Sequence, residues 1–142
     1  MRIAIDTNVL IAAVTRPGGV SARIVKAWLD SRLEVVASPA TIREAELVLG
    51  GGWLARVVEP EAVEALLEAL RTRSVLIERP ARIRDLRLKD AGDLRLVEAT
   101  VAGRARYIVT TDREFLRARG YADVEFITPG EFERILQQAG GE

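Results

Sequence analysis

The chain alternates short apolar runs that are typical of β-strands with longer runs that have the apolar spacing of helices. Such an alternation predicts a parallel sheet whose strands are connected by helical crossovers. The predicted strands are residues 3–5, 33–37, 75–77, 107–109 and 124–127. Helices on both faces give an α/β fold, a three-layer αβα sandwich with a central five-stranded parallel sheet. No internal repeat or low-complexity segment divides the chain, so residues 1–142 are predicted to form one domain.

Capping residues and helix breakers predict where the helices begin and end. Ser21 can cap a helix through Leu29, and Ser38 with Pro39 predicts a helix that ends at Gly50. Further helix starts are predicted at Pro60, at Asp90, at Asp112 and at the capping box of Thr128 and Glu131. The arginine-rich residues 79–89 are predicted to form a loop with a short turn.

The chain contains no histidine and no cysteine, which excludes several classes of site. Disulfides, thiolate nucleophiles and cysteine-type zinc sites need cysteine, and histidine is the commonest general base and transition-metal ligand. Catalysis would therefore depend on carboxylates, hydroxyls, lysine or arginine. Because Asp and Glu are hard oxygen donors, a metal site in this chain suits Mg²⁺ or Mn²⁺ better than zinc or copper.

The charge and hydropathy of the chain place few limits on its partners. Lys and Arg together number 21 and balance 21 Asp and Glu, so the net charge of zero does not indicate nucleic-acid binding by itself. No apolar run approaches the roughly 18 residues that a membrane helix needs. The charged N-terminal residues do not have the pattern of a signal peptide. We therefore expect a cytoplasmic protein with no membrane segment.

Four acidic residues follow the predicted strands at what would be one edge of the sheet. Asp6 and Asp112 come after the first and fourth strands, Glu44 lies in the second turn of the helix after the second strand, and Asp93 lies in the first turn of the helix after the third. Open α/β sheets bind ligands at this carboxyl edge. Carboxylates that crowd together there repel one another unless a cation offsets their charge. Since a divalent ion can activate water and stabilise charge on a phosphate, the four acids predict metal-assisted hydrolysis of a phosphodiester.

Each of these acids also has a purely structural interpretation. Asp6 and Asp112 can be helix N-caps, and Asp93 can complete a capping box with Asp90. Glu44 can be a solvated helix residue. One metal site accounts for all four positions, whereas the structural interpretation needs a separate explanation for each.

Several polar residues lie near these acids in the sequence. Asn8 can hold a ligand carboxylate or a phosphate, and Thr110 can orient Asp112 or a water molecule. Turn and cap chemistry is the alternative role of both. Four basic residues are near enough to the same edge to contact substrate phosphates, although exposed cations are usually only solvated. These are Arg16, Arg23, Lys26 and Arg113.

Five segments resemble the motifs of PIN domains, in the order and spacing of that family. They are residues 5–10 (IDTNVL), 36–44 (VASPATIRE), 90–99 (DAGDLRLVEA), 107–116 (YIVTTDREFL) and 128–132 (TPGEF). The four candidate acids stand at the acidic positions of the family. The departures are Thr111, where many relatives have glycine, and Ala91-Gly92, where relatives often have proline and a polar residue. Neither departure removes a candidate ligand.

This resemblance implies a PIN fold in which the first and fourth strands lie side by side at the centre of the sheet. It also implies an endoribonuclease that depends on Mg²⁺ or Mn²⁺. Asp6, Asp93 and Asp112 would hold one metal, and Glu44 would complete its shell or hold a second one. Many members of this size resemble VapC-like toxins of toxin–antitoxin pairs, which implies an RNA substrate, a cognate antitoxin and a homodimer.

Other classes of protein also gather acids at the edge of a parallel sheet. A haloacid-dehalogenase-like hydrolase needs a second Asp two residues after the first, where this chain has Asn8. A receiver domain needs a lysine after its last core strand, and neither Lys26 nor Lys89 is in that place. A catalytically silent PIN-fold module that binds RNA or protein stays open, because the presence of four acids does not establish activity.

Overall fold

The computed structural model describes residues 1–140 of the chain. The strands of this part are β1 (Arg2–Ile5), β2 (Glu34–Ala37), β3 (Val75–Leu76), β4 (Tyr107–Val109), β5 (Gly120–Tyr121) and β6 (Val124–Ile127). Its α-helices are α1 (Thr7–Thr15), α2 (Val20–Leu29), α3 (Pro39–Leu49), α4 (Pro60–Arg73), α5 (Ala91–Ala102), α6 (Arg113–Ala118) and α7 (Pro129–Gly140). The longest helix in these residues has 14 residues, and none is long and apolar enough to cross a bilayer.

The strands form one sheet in the order β3-β2-β1-β4-β6-β5. β1 and β4 lie side by side at its centre, with Ile3 paired to Tyr107 and Ile5 paired to Val109. Within residues 1–140, every strand pairing is parallel except the pairing of β5 with β6. This arrangement confirms the predicted α/β sandwich and its two central strands. It also brings the starts of α1, α3 and α6 to the carboxyl edge of the sheet.

The predicted number of strands is wrong, because residues 1–140 form a sixth strand. β5 pairs antiparallel with β6 in a tight hairpin. Arg119 (φ 68°) and Ala122 (φ 51°) adopt left-handed backbone on either side of β5, which reverses the chain. A Cβ at Gly120 would press against the carbonyl oxygen of Val124, so this close pairing needs a glycine. A strand of two residues has no periodic signal that a sequence pattern could reveal.

The hydrogen bonds of the caps confirm most of the predicted helix starts. Asp90 Oδ1 accepts a hydrogen bond from Gly92 N at 2.7 Å, and Thr128 Oγ1 accepts one from Glu131 N at 3.1 Å. The start predicted at Ser21 is wrong, since α2 begins at Val20 with Gly19 as its N-cap. Ser21 is instead a buried residue of the first turn. Glycine is a good N-cap because its backbone reaches extended conformations at no steric cost.

The helices cover both faces of the sheet and bury an apolar core on each. One core lies under α1, α2, α4 and α7 and contains Trp28, which is 2% exposed, as predicted. The other core lies under α5 and α6, where the rings of Phe115 and Phe126 meet edge to face with centroids 5.0 Å apart. The two cores hold the central strands rigidly, so the residues that follow β1 and β4 have fixed positions.

Ser38→Ala is expected to lower the free energy of unfolding by about 1 kcal/mol. Ser38 is 2% exposed, and its Oγ accepts a hydrogen bond from Thr41 N (3.3 Å) at the start of α3. Ser74→Ala is the matched control, since the buried Ser74 Oγ has no hydrogen-bond partner among residues 1–140 and its removal leaves no group unsatisfied. Urea unfolding of both variants measures the difference, and equal stability would contradict the capping role.

Candidate metal centre

The two central strands end in the acids that lie deepest in the site. Asp6 follows β1 at the N-cap position of α1, where its side chain makes no capping hydrogen bond, and its backbone N–H donates to the carbonyl oxygen of Val109 at 3.0 Å. Asp112 follows β4 and caps α6, where its Oδ1 accepts a hydrogen bond from Glu114 N at 2.7 Å. Asp6 is only 6% exposed. Sheet pairing and helix capping therefore place both carboxylates at the same edge.

Thr110 connects these two acids. Its Oγ1 donates a hydrogen bond to Asp6 Oδ2 at 2.7 Å and accepts one from Asp112 N at 3.0 Å. The side chain is fully buried, so water does not compete for either bond. The hydroxyl thus fixes the orientation of the Asp6 carboxylate and the backbone position of Asp112.

Helices α3 and α5 contribute the other two acids. Glu44 Oε2 accepts a hydrogen bond from Thr7 Oγ1 at 3.3 Å, which links α3 to the start of α1. Asp93 lies in the first turn of α5, one turn after the cap Asp90. A Cβ at Gly92 would overlap Glu44 Oε1, so the glycine lets the start of α5 lie against the glutamate. The Gly92 departure from the PIN pattern therefore makes room for Glu44.

The four acids line one open cleft with a volume of about 540 Å³. We call it the acidic cleft and define it by Asp6, Glu44, Asp93 and Asp112. Asn8 also lines this cleft, as the sequence suggested. Its cationic rim consists of Lys89, Arg113 and Arg117. Of these three, only Arg113 was among the basic residues singled out from the sequence.

The remaining predicted phosphate contacts do not line the acidic cleft. Arg23 makes a bidentate ion pair with Glu133 of α7, with nitrogen–oxygen distances of 2.6 and 3.0 Å. Lys26 pairs with Asp30 on the exposed face of α2 at 2.8 Å. Arg16 lies at the other end of α1 from Asp6 and is its C-cap. Lys89 and Arg117 were missed, although Arg117 lies one helical turn after Arg113 and shares its face.

The crowding of the acids changes their protonation. Burial, followed by the charges of the neighbouring acids, raises the pKa of Asp93 to about 7; those acids are Asp6, Asp90, Asp112 and Glu44. Burial also raises the pKa of Asp6, although the hydrogen bond from Thr110 opposes this shift. Carboxylates normally titrate near 4. At neutral pH the acidic cleft therefore holds more negative charge than its own groups can balance.

The donor set fits a hard divalent cation. Carboxylate oxygens are the preferred ligands of Mg²⁺ and Mn²⁺, and a cation would offset the repulsion that raises the pKa of Asp93. In the part of the chain that the structure describes, no three acidic side chains already converge closely enough to enclose an ion.

Comparison with known proteins gives a family match and two similar structures. The family model described as PIN domain matches residues 2–114. The chain is similar to VapBC2 from Rickettsia felis, solved bound to a DNA fragment from its promoter, with a TM-score of 0.57 and 15% identity over 89% of this chain and 97% of that one. It is also similar to FitAcB from Neisseria gonorrhoeae, with a TM-score of 0.51 and 22% identity over 90% of this chain and 98% of that one. At these identities the two similarities establish the fold. No curated protein matches the sequence.

Proposed function

Since the chain belongs to the PIN-domain family, we propose that it is a Mg²⁺- or Mn²⁺-dependent endoribonuclease that hydrolyses RNA phosphodiester bonds in the acidic cleft. The observation that carries this proposal is the convergence of four carboxylates from four separate elements on one cleft. A structural role would not explain that convergence, because caps and solvated helix residues need not face one another. The raised pKa of Asp93 supports it, since perturbed acids in a cleft are typical of functional sites.

The proposed roles follow from the position of each side chain. Asp6, Asp93 and Asp112 would hold the cation directly or through water, and Glu44 would complete the shell or hold a second ion. A bound divalent cation lowers the pKa of a water molecule and offsets charge that develops on the phosphate. Thr110 holds the Asp6 carboxylate in place, and Asn8 would orient a ligand carboxylate or a phosphate. The cationic rim would bind the phosphates on either side of the scissile bond.

We extend the proposal to the partners of the chain on the VapC-like motif set. A toxin of this kind would act in the cytoplasm and would be held inactive by a cognate antitoxin. A homodimer is the proposed assembly state. These partners are expected from the family resemblance, and the similar structures named VapBC2 and FitAcB are compatible with them.

The experiment that tests the proposed function is cleavage of a labelled structured RNA by highly purified protein. Cutting is expected with Mg²⁺ or Mn²⁺ and is expected to stop when EDTA is added. DNA of the same sequence serves as the comparison substrate and should be cut far more slowly. Equal cutting in EDTA would refute metal dependence, and an absence of RNA cutting with both metals would favour the catalytically silent module.

Thr110→Val is expected to lower kcat for RNA cleavage about 10–100-fold, as the loss of a group that orients a metal ligand usually does. Valine keeps the volume of the side chain but cannot donate to Asp6 Oδ2 or accept from Asp112 N. Thr100→Val is the matched control, since Thr100 is equally buried and its hydroxyl bonds only within α5, to the carbonyl oxygen of Leu96. Steady-state kinetics of both variants measures the effect, and similar kcat values would argue against the role of Thr110.

A further inference from the structure

Four arginines line a second pocket, which shares the helices α3 and α5 with the acidic cleft. The pocket has a volume of about 380 Å³ and lies between the start of α3, the loop after β3 and the side of α5. We call it the basic pocket and define it by Arg43, Arg79, Arg82 and Arg95. Its acids are Glu78 and Glu98, so cations are in excess there. The amino end of α3 adds the positive end of a helix dipole.

A buried carboxylate gives the basic pocket a fixed arrangement. Glu98 is 2% exposed, and its Oε1 accepts a hydrogen bond from Arg82 Nη1 at 3.3 Å. Its Oε2 accepts one from Arg95 Nη2 at 3.2 Å and another from the backbone N–H of Ile83 at 2.9 Å. The glutamate therefore holds two guanidinium groups and the adjoining loop in place. The fork of Arg95 faces Glu98, with its Nε also 2.7 Å from Oε1, so these two arginines order the wall of the pocket and leave ligand contacts to its other cations.

Two of these arginines have no acidic partner in the part of the chain that the structure describes. Within residues 1–140, neither Arg43 nor Arg79 makes a salt bridge with an acidic side chain. Both side chains belong to exposed residues. A polyanion could therefore contact them without first breaking an ion pair.

The basic pocket and the acidic cleft share the elements that form them. In α3, Glu44 lines the acidic cleft while its neighbour Arg43 lines the basic pocket. In α5, Asp93 lines the acidic cleft and Arg95 lines the basic pocket. The loop after β3 runs from the basic pocket to Lys89 on the cationic rim. A nucleic-acid strand that is bound in one site can therefore continue into the other.

The loop that joins the two sites is the most basic segment of the chain. Its residues 79–89 contain a single acid, Asp85. The cations of this segment are Arg79, Arg82, Arg84, Arg87 and Lys89. The whole chain has no net charge, so this excess is local. A local excess of cations beside a cleft is the electrostatic pattern expected for the track of a nucleic-acid backbone.

We propose that the basic pocket binds backbone phosphates of the same single-stranded RNA whose scissile bond lies in the acidic cleft. The inference rests on the proposed function for the identity of the ligand as RNA. Arg43 and Arg79 make the phosphate contacts, while Glu98 positions Arg82 and Arg95 beside them. The pocket thus sets where along the strand the enzyme binds.

The test is the affinity of the full chain for a short labelled single-stranded RNA, measured by fluorescence anisotropy in EDTA so that no RNA is cut. The double variant Arg43→Gln/Arg79→Gln is compared with Arg56→Gln/Arg134→Gln, which removes the same charge from exposed arginines outside both sites. The pocket variant is expected to bind RNA roughly tenfold more weakly than the control variant. The slope of log affinity against log salt concentration should be smaller in magnitude by about 1.4 for the pocket variant, since each lost phosphate contact removes about 0.7 from this slope.

The outcomes separate this inference from the proposed function. Equal RNA affinity of the two double variants would overturn the inference, even if the wild type cuts RNA. A pocket variant that keeps RNA affinity but no longer binds an acidic peptide would also overturn it and assign the pocket to a protein partner. If the wild type never cuts RNA, the anisotropy comparison still tests the pocket. In an active enzyme, the pocket variant should show a raised KM with kcat unchanged.

Discussion

Replacing Asp6 with asparagine is expected to reduce metal-dependent RNA cleavage by more than about 100-fold, because even groups that only support a metal ligand cost 10–100-fold when they are lost. Asp6 lies at the centre of the sheet edge and is 6% exposed. Asparagine has nearly the same shape and can still accept the hydrogen bond from Thr110, so the fold should be retained. What changes is the charge, since a neutral amide oxygen is a much weaker ligand for a hard cation than a carboxylate.

The control for this substitution is Asp123→Asn. Asp123 is exposed and lies near the start of β6, away from the acidic cleft. Circular dichroism would show that both variants fold, and cleavage of the same RNA with Mn²⁺ would compare their rates. Full activity in Asp6→Asn would mean that the cutting comes from a contaminant or from another site. Equal loss in both variants would show that the effect is not specific to the cleft.

Asp93→Asn is expected to stabilise the metal-free protein at pH 8 by about 2 kcal/mol. The pKa of Asp93 is about 7 in the folded chain, against an ordinary value of 3.8. That difference corresponds to about 4 kcal/mol, and we halve it because solvent screens a half-buried group. Asparagine has no charge for the neighbouring acids to repel.

The sign of this effect depends on pH. Below pH 3.8 the Asp93 carboxyl is protonated in both the folded and the unfolded chain, so it does not affect stability. As the pH rises, the unfolded chain releases this proton first, and the wild type loses stability until about pH 7. The advantage of Asp93→Asn should therefore be largest at pH 8 and absent near pH 4.

Urea unfolding in EDTA at both pH values measures the effect of Asp93→Asn. Asp123→Asn is the comparison, since Asp123 is an exposed acid that does not line the acidic cleft. Added Mg²⁺ should stabilise the wild type at pH 8 and should stabilise Asp93→Asn much less. A variant that is less stable than the wild type at pH 8 without metal would show that repulsion in the cleft is not the dominant force on Asp93.

The sequence was sufficient for the parts of the molecule that depend on strand ends and caps. The apolar runs at β1 and β4 predicted strands, and the resemblance to PIN domains implied that these two are neighbours. Parallel strands must then bring Asp6 and Asp112 to one edge. Ser38 and Asp90 predicted helix starts because their side chains accept hydrogen bonds from free backbone amides, and Pro39 did so because the first helical residue needs no N–H donor. Local chemistry of this kind does not depend on the rest of the fold.

Features that depend on packing between distant segments could not be predicted from the sequence in the same way. The contact between Thr7 and Glu44 and the space that Gly92 leaves for Glu44 arise only when α1, α3 and α5 meet. The sequence suggested Arg23 as a phosphate contact by its proximity to Asp6, but α7 brings Glu133 to it and neutralises its charge. Lys89 lies far from Asp6 in the sequence and reaches the cleft through the path of a loop.

The most direct test of the central claim is a calorimetric titration of Mn²⁺ into the metal-free wild type and into Asp6→Asn. We predict that the wild type binds Mn²⁺ at a saturable site, that Mg²⁺ competes for it, and that Asp6→Asn binds Mn²⁺ at least about tenfold more weakly. Wild-type protein that takes up no Mn²⁺ at millimolar concentrations would contradict the account. Undiminished Mn²⁺ binding by Asp6→Asn would contradict it equally, because the ion would then lie outside the acidic cleft.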